Sequence, residues 1–297
     1  MSTPMSRSPI PTGPADASAP PSWLYLTDPA RATAEYGVLM ATLPLRQLLP
    51  AGDGHPVLVL PGLLADDVST WTLRRILRDL GYRVHGWRLG RNLGPTAATV
   101  TGLQNRLLGL HARYDSAVSV IGWSLGGIYA RTLARGNPSA VRQVITLGSP
   151  IHLAHESQSR AGRAFDRYAH LHVVPRELPL ESGVGALPVP ATSIYSRYDG
   201  IVAWRACLDL PSARAENIAV VGSHFGFGHH PAVIWAVADR LAQPSGRWAP
   251  FRPPRALRPL YPRADSFSTP SPSAATTRRS TGTSYLSRSS RYSMSAS

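Results

Sequence analysis

The residue in this sequence best suited to nucleophilic chemistry is a serine at the centre of a Gly-x-Ser-x-Gly pattern. Ser124 lies in Gly122-Trp123-Ser124-Leu125-Gly126-Gly127, after an apolar run at Ala117–Ile121 and before a helical pattern at Leu125–Arg135. On such a strand-to-helix turn the serine is strained and its hydroxyl exposed, and small neighbours let strand and helix approach closely. The free N–H groups of the helix N-terminus favour negative charge beside it. The pattern therefore predicts a nucleophilic serine.

A serine hydroxyl needs a base, and His224 is the histidine best placed to be one. It directly follows the last predicted strand, so it belongs to a loop at the carboxyl edge of the sheet, where Ser124 is also expected. Catalytic groups gather at that edge of parallel sheets. The rivals, His229 and His230, stand just before Pro231 at a helix start, where capping or solvent exposure is the simpler expectation.

The base in turn needs a carboxylate that fixes its tautomer, and Asp199 is the candidate. It follows a predicted strand, whereas Asp209 lies ten residues later, beyond a predicted helix, and is the weaker choice. A plain turn aspartate before a glycine is the alternative reading of Asp199. The chain order Ser124, Asp199, His224 is the order of the α/β-hydrolase triad.

Two further backbone positions could stabilise an oxyanion. The stretch Pro61-Gly62-Leu63-Leu64 follows the first predicted strand, and in the α/β-hydrolase arrangement one donor comes from that loop and one from the residue after the nucleophile. Leu63 and Leu125 are therefore the predicted N–H donors. Asn92, after the second strand, and Trp123 are candidates for the pocket rim, although a turn is the simpler role for Asn92.

Short apolar runs alternate with helical patterns along the chain. Helices are predicted around Leu73–Leu80, Leu103–Leu110 and Leu125–Arg135, from Pro231 onward, and as an extra helix over Asp28–Leu49. This alternation predicts an α/β fold with a mostly parallel central sheet flanked by helices. The predicted strands are His55–Leu60, Tyr82–Trp87, Ala117–Ile121, Val141–Leu147, Ala191–Tyr195 and Ile218–Val221.

Composition divides the chain into one folded body and two polar ends. Residues 1–22 and the Arg-, Ser- and Pro-rich residues 252–297 contain few large apolar groups, so both are expected to be disordered. The body spans residues 23–251, a suitable size for one domain. Within it, residues 152–190 are mixed in polarity and lack a strand, which predicts a small cap insertion over a site.

The net charge of +14 does not by itself indicate a nucleic-acid partner. All 31 basic residues are arginine, and residues 244–297 contribute +8 of the charge, leaving little for a folded basic groove. The single cysteine, Cys207, excludes an internal disulfide and a cysteine metal cluster. His152 and His155 lack a third ligand, and no phosphate-binding loop is present, so neither metal nor cofactor is predicted. No transmembrane segment or secretory signal is visible, and a cytoplasmic location is expected.

From about His55 to Leu241 the sequence resembles the α/β-hydrolase superfamily, of the serine esterase/lipase type. The resemblance is carried by Pro61-Gly62-Leu63, the Gly122–Gly127 turn, Asp199-Gly200 and Ser223-His224. The loop at Pro61 lacks the His-Gly pair common in many lipases. A serine at the turn, rather than aspartate or cysteine, argues against relatives that cleave haloalkanes or epoxides, and against polyester synthases.

The resemblance implies hydrolysis of a small-molecule acyl ester through an acyl-enzyme. Ser124 would attack the carbonyl, His224 would carry the proton, and water would release the acid. An acyltransferase on the same triad and a catalytically silent binding scaffold are the alternatives. The acyl chain, the alcohol and the oligomeric state stay open.

Overall fold

A parallel β-sheet forms the centre of the protein. The computed structural model describes residues 18–152, 158–173 and 185–265, and these contain six strands. Their order across the sheet is β2-β1-β3-β4-β5-β6, and every neighbouring pair is parallel. The strands are β1 (Pro56–Leu60), β2 (Arg83–Gly86), β3 (Val118–Trp123), β4 (Val141–Leu147), β5 (Ala191–Ser196) and β6 (Ala215–Val220).

Helices cover both faces of this sheet. On β1, Val57 and Val59 pack on the side of the helices at Trp71–Asp79 and Pro231–Leu241, whereas Leu58 and Leu60 pack on the side of those at Ala97–Tyr114 and Leu125–Gly136. Successive side chains of a strand point to opposite faces, so a strand buried on both faces is apolar throughout. The helices are α1 (Ser22–Thr42), α2 (Trp71–Asp79), α3 (Ala97–Tyr114), α4 (Leu125–Gly136), α5 (Gly162–Asp166) and α6 (Pro231–Leu241).

The extra helix predicted before the sheet is present as α1, followed by a 3₁₀ helix at Leu43–Leu48. It begins earlier than predicted and packs against α6. Its buried side chains are Leu24, Asp28, Ala32 and Leu39, so a carboxylate occupies one of its inward positions. No helix in the described ranges has both the length and the apolar character needed to cross a bilayer.

The packed body extends beyond the predicted boundary at residue 251. A 3₁₀ helix forms at Arg255–Leu260, and the Tyr261 hydroxyl donates to the carbonyl of Ala232 at 2.8 Å. Asp265 pairs with Arg197 at 2.7 Å. The Tyr261 hydrogen bond and the Arg197–Asp265 ion pair therefore hold residues 252–265 against the domain. The polar composition of this segment had predicted disorder. Residues 1–17 and 266–297 of the predicted disordered ends lie outside the described residues.

Part of the predicted cap lies across the carboxyl edge of the sheet. It contains α5 and a 3₁₀ turn at Ala169–Leu171. His172 contacts the carbonyl of Leu93 at 2.8 Å, in the loop after β2. The N–H of Arg160 donates to the carbonyl of Ile201 at 2.9 Å, after β5. Residues 153–157 and 174–184 of the predicted cap lie outside the described residues.

Candidate active site

Ser124 occupies a sharp turn between β3 and α4. Its φ of 53° and ψ of −122° are unusual for a residue with a side chain and cost about 1–3 kcal/mol. Its N–H donates to the carbonyl of Leu147 at 2.8 Å, which ties the turn to β4. A Cβ on Gly122 would overlap the backbone of Gly126 and Gly127, so the strand and helix meet where only glycine fits. The sequence-predicted turn has this geometry.

Asp199 and His224 form a buried hydrogen-bonded pair. His224 Nδ1 lies 2.7 Å from Asp199 Oδ2, and the two residues are 4% and 2% exposed. The other carboxylate oxygen, Oδ1, accepts the N–H groups of Ile201 at 2.7 Å and Val202 at 2.8 Å. These contacts orient the carboxylate toward Nδ1. A proton held on Nδ1 leaves Nε2 with a free lone pair, as a general base requires.

The structure places Ser124 beside this pair without a hydrogen bond to it. Among the described residues, no hydrogen bond joins the Ser124 hydroxyl to His224. The rings of Trp123 and His224 lie 6.2 Å apart between centroids, so the serine turn and the histidine loop are neighbours. In substrate-free enzymes such catalytic bonds are often long and shorten on binding. The acid and histidine predicted from sequence thus meet, and the serine lies on the adjoining loop.

Two backbone N–H groups near Ser124 have no acceptor among the residues that the structure describes. A Cβ on Gly62 would lie 3.2 Å from Ser124 Cβ, so the loop after β1 passes against the serine. Within the described ranges, neither the N–H of Leu63 nor that of Leu125 donates a hydrogen bond. Leu125 is the first residue of α4, where an N–H has no partner inside the helix. Both groups predicted as donors are therefore available.

Asn92 does not line a pocket rim as predicted, because it is fully buried. Its amide donates to the carbonyl of Pro61 at 3.0 Å, and its side-chain oxygen accepts from the N–H of Gly94 at 3.1 Å. That oxygen also accepts a hydrogen bond from the Tyr129 hydroxyl at 3.3 Å. Burial raises the pKa of Tyr129, so its hydroxyl keeps the proton that it donates. Asn92 therefore holds the loop after β1 in place through the carbonyl of Pro61. Trp123, the other predicted rim residue, is 8% exposed and belongs to the core between the sheet and α6.

The rival histidines have structural partners. His230 caps α6, because its Nδ1 accepts from the N–H of Ala232 at 3.2 Å. Burial lowers the pKa of His230, which favours the neutral form that this cap requires. His229 Nε2 lies 2.8 Å from the carbonyl of Ala32 on α1. Neither ring is paired with a carboxylate in the way that His224 is.

The rival acid, Asp209, is part of a separate buried ion pair. Its two carboxylate oxygens accept from Arg131 at 2.6 and 3.1 Å. Both side chains are almost completely buried, so the pair balances its own charge. Asp209 is therefore engaged away from His224.

Sequence reasoning missed a carboxylate that contacts both the loop of Asp199 and the loop of His224. Asp28 on α1 is completely buried. Its Oδ2 accepts the N–H of Gly200 at 3.0 Å and that of His224 at 2.9 Å, and its Oδ1 accepts that of Phe225 at 2.9 Å. Arg31, one turn along α1, pairs with Oδ2 at 3.1 Å.

Glu35, on the same helix, contacts the histidine loop as well. Its two oxygens accept the N–H of Ser223 at 2.8 Å and the Ser223 hydroxyl at 2.7 Å. Asp28, Arg31 and Glu35 recur at i, i+3 and i+7, a spacing that places them on one face of a helix. Charged residues at that spacing, in a helix otherwise poor in charge, were the available signal.

An apolar cavity lies away from Ser124, Asp199 and His224. It measures about 310 Å³ and lies among α1, α6 and the 3₁₀ helices at 43–48 and 255–260. None of Ser124, Asp199 and His224 lines it. In the described part of the chain, no three His, Cys, Asp or Glu side chains are grouped so that they could hold a metal ion.

Comparison with solved structures identifies the fold. No family model matches the chain, and no curated protein matches it. The lipase B of Aspergillus fumigatus is 19% identical with a TM-score of 0.51; the match covers 64% of this chain and about half, 53%, of that one. A metagenome-derived lipolytic enzyme is 14% identical with a TM-score of 0.48, covering 65% and 93% of the two chains. The pyrethroid hydrolase PytH is 15% identical with a TM-score of 0.46, covering 65% and 99%.

The chain has the α/β-hydrolase fold. Its parallel six-stranded sheet with helices on both faces agrees with the lipase match. The fold class predicted from the sequence is confirmed.

Proposed function

We propose that this protein is a carboxylic-ester hydrolase that uses Ser124 as nucleophile, His224 as base and Asp199 as the orienting acid. The observation that carries the proposal is the buried Asp199–His224 pair, at the same edge of the sheet as the strained serine. A carboxylate fixed by two backbone N–H groups is an arrangement suited to holding one histidine tautomer.

In the proposed reaction, the Ser124 oxygen attacks the ester carbonyl while His224 Nε2 takes the hydroxyl proton. The negative charge on the carbonyl oxygen is stabilised by the N–H groups of Leu63 and Leu125, and each such donor contributes about 10²–10³-fold to the rate. His224 then protonates the departing alcohol. The same ring then deprotonates water, which attacks the acyl carbon; the bond to the Ser124 oxygen breaks, His224 returns its proton to that oxygen, and the acid is released. The mechanism requires Ser124 and His224 to come within hydrogen-bond distance when substrate is bound.

The test compares wild type and Ser124→Ala in hydrolysis of short-chain p-nitrophenyl esters, together with labelling by a fluorophosphonate. We expect the variant to lose at least about 10³-fold in kcat and all labelling, because the nucleophile is gone. Ser149→Ala is the matched control, since Ser149 is another buried serine at this edge of the sheet but makes only carbonyl contacts. Full ester turnover by Ser124→Ala would exclude the proposed nucleophile.

Product analysis with a short alcohol present separates hydrolysis from acyl transfer. Hydrolysis predicts free acid as the main product, because water accepts the acyl group. A dominant new ester would assign the same residues to an acyltransferase. No labelling of Ser124 in folded protein would favour the silent scaffold.

A further inference from the structure

We propose that Asp28 is a positioning residue for the triad, holding the loop of Asp199 and the loop of His224 in fixed relation from α1. The proposal rests on the proposed function, because it concerns the same site. It gives α1, which lies outside the sheet, a role in activity.

One carboxylate oxygen bridges the two loops. Asp28 Oδ2 accepts the N–H of Gly200, the residue after Asp199, and the N–H of His224 itself. The second oxygen accepts the N–H of Phe225. All three distances are between 2.9 and 3.0 Å, and hydrogen bonds to an ionised acceptor are stronger than those between neutral groups. The backbone positions of the acid and the base are therefore set by a common side chain.

The buried charge of Asp28 is balanced within the same contact. A carboxylate without exposure is costly unless it is paired and hydrogen-bonded. Arg31 Nη2 pairs with Oδ2 at 3.1 Å, and Arg31 Nη1 donates to the carbonyl of Tyr198 at 2.9 Å. Tyr198 directly precedes Asp199, so the counter-ion holds the acid loop too.

Two glycines show that the loops are shaped to fit α1. A Cβ on Gly200 would lie 2.8 Å from Asp28 Oδ2 and 2.5 Å from the carbonyl of Leu24. A Cβ on Gly226, in the histidine loop, would overlap the carboxylate of Glu35. At Gly200 the backbone of α1, through the carbonyl of Leu24, leaves no room for a side chain, whereas at Gly226 the neighbouring group is the end of the Glu35 side chain. The contact between Leu24 and Gly200 is independent of the hydrogen bonds of Asp28.

Loss of Asp28 leaves the direct contacts of the pair intact, so its effect is on placement. Asp199 keeps its bonds to Ile201, Val202 and His224. What is lost is the tie from α1 to the two loops, so the pair is free to shift as a unit and thereby to change its distance from Ser124. A displacement of about 1 Å at a reacting centre lowers the rate by about 10²-fold. We therefore expect kcat to fall while KM changes little.

The experiment compares Asp28→Asn and Asp28→Ala with wild type in p-nitrophenyl ester turnover, well below the unfolding temperature of each variant. An asparagine keeps one acceptor oxygen and sets its NH₂ against the remaining N–H, so we expect kcat to fall about tenfold, and about 100-fold for alanine. KM is expected to stay within about twofold. The matched control is Glu216→Gln, because Glu216 also accepts a backbone N–H and an arginine, but at the amino end of β6.

Hydrogen exchange supplies a readout that does not depend on activity. In Asp28→Ala the amides of Gly200, His224 and Phe225 lose their acceptor, so we expect them to exchange faster, with no such change in Glu216→Gln. Faster exchange without Ser124-dependent turnover would leave the loop-holding role standing and remove the esterase assignment. Wild-type kcat in Asp28→Ala, unchanged exchange, or a loss of kcat that only matches the unfolded fraction would overturn the positioning role.

Discussion

Replacing Asp199 by asparagine tests the proposed mechanism at the atom on which it depends. In the wild type, Oδ1 accepts two backbone N–H groups, from Ile201 and Val202, and Oδ2 faces His224 Nδ1. An amide has only one acceptor oxygen. The two N–H donors hold that oxygen at the Oδ1 position, so the NH₂ group must face His224.

The size of the effect follows from this orientation. Facing an NH₂ donor, Nδ1 of His224 becomes an acceptor and the ring proton moves to Nε2, where no lone pair remains to take the serine proton. In Ser-His-Asp enzymes this wrong tautomer lowers kcat by about 10⁴-fold. That corresponds to about 5 kcal/mol of lost transition-state stabilisation. The loop itself keeps both backbone bonds, so the fold is expected to survive.

The assay is steady-state hydrolysis of a p-nitrophenyl ester by Asp199→Asn, with circular dichroism to confirm folding. Asp209→Asn is the control, because Asp209 is the rival acid. Asp209→Asn removes the carboxylate charge opposite the buried Arg131 guanidinium, so stability is expected to fall by about 3–5 kcal/mol while kcat per folded molecule is unchanged. If Asp199→Asn turns over at the wild-type rate, the assignment of the acid is refuted.

Two further outcomes follow from buried polar groups. Asn92→Ala removes the hydrogen-bond partner of the Pro61 carbonyl, the Gly94 N–H and the Tyr129 hydroxyl. The free energy of unfolding in urea should therefore fall by at least about 2 kcal/mol, and fluorophosphonate labelling should slow. Unchanged values would contradict the role of Asn92 in holding the loop after β1. Burial, with Arg106 and other nearby arginines, lowers the pKa of His85 to about 4, below its ordinary value of about 6.5. Protonation of His85 therefore favours the unfolded chain, so the contribution of His85 to stability should be fully present above about pH 6.5 and be lost as the pH falls toward about 4. Equal loss of stability in wild type and His85→Gln over this pH range would contradict the prediction.

The central strands and the helices that pack on them could be predicted from the sequence because their buried positions are occupied by apolar residues at regular spacing. In Val141–Leu147, Val141 and Val144 are buried on one face of the sheet and Ile145 and Leu147 on the other, and the predicted and observed bounds of this strand agree. The start of β6 was missed by three residues. Its first residues include Glu216 and Asn217, which pair with β5 while carrying polar side chains. The start of β6 is set by its backbone pairing with β5, so a pattern of hydrophobic residues does not predict it.

The site was predictable where chemistry restricts residue types, and not where remote backbone contacts decide. Ser124, Asp199 and His224 stand in recognisable local settings. Asn92 was assigned to a rim because it follows a strand at the expected edge, but its partners are backbone groups that no local pattern reveals. The spacing of Asp28, Arg31 and Glu35 could have marked a charged helix face, but it could not have revealed what Asp28 binds, since its partners are main-chain amides of any residue type.

The position of α1 at the start of the chain has a consequence for the order of assembly. Its bonds to Gly200 and His224 span 172 and 196 residues. During synthesis, α1 emerges before its partners, which follow only after five strands have been made. The entropic cost of closing a loop rises only slowly with its length. Contacts between residues so far apart in sequence nevertheless form late in folding. The carboxyl edge of the sheet is thus completed last, once the first helix and the final loop have met.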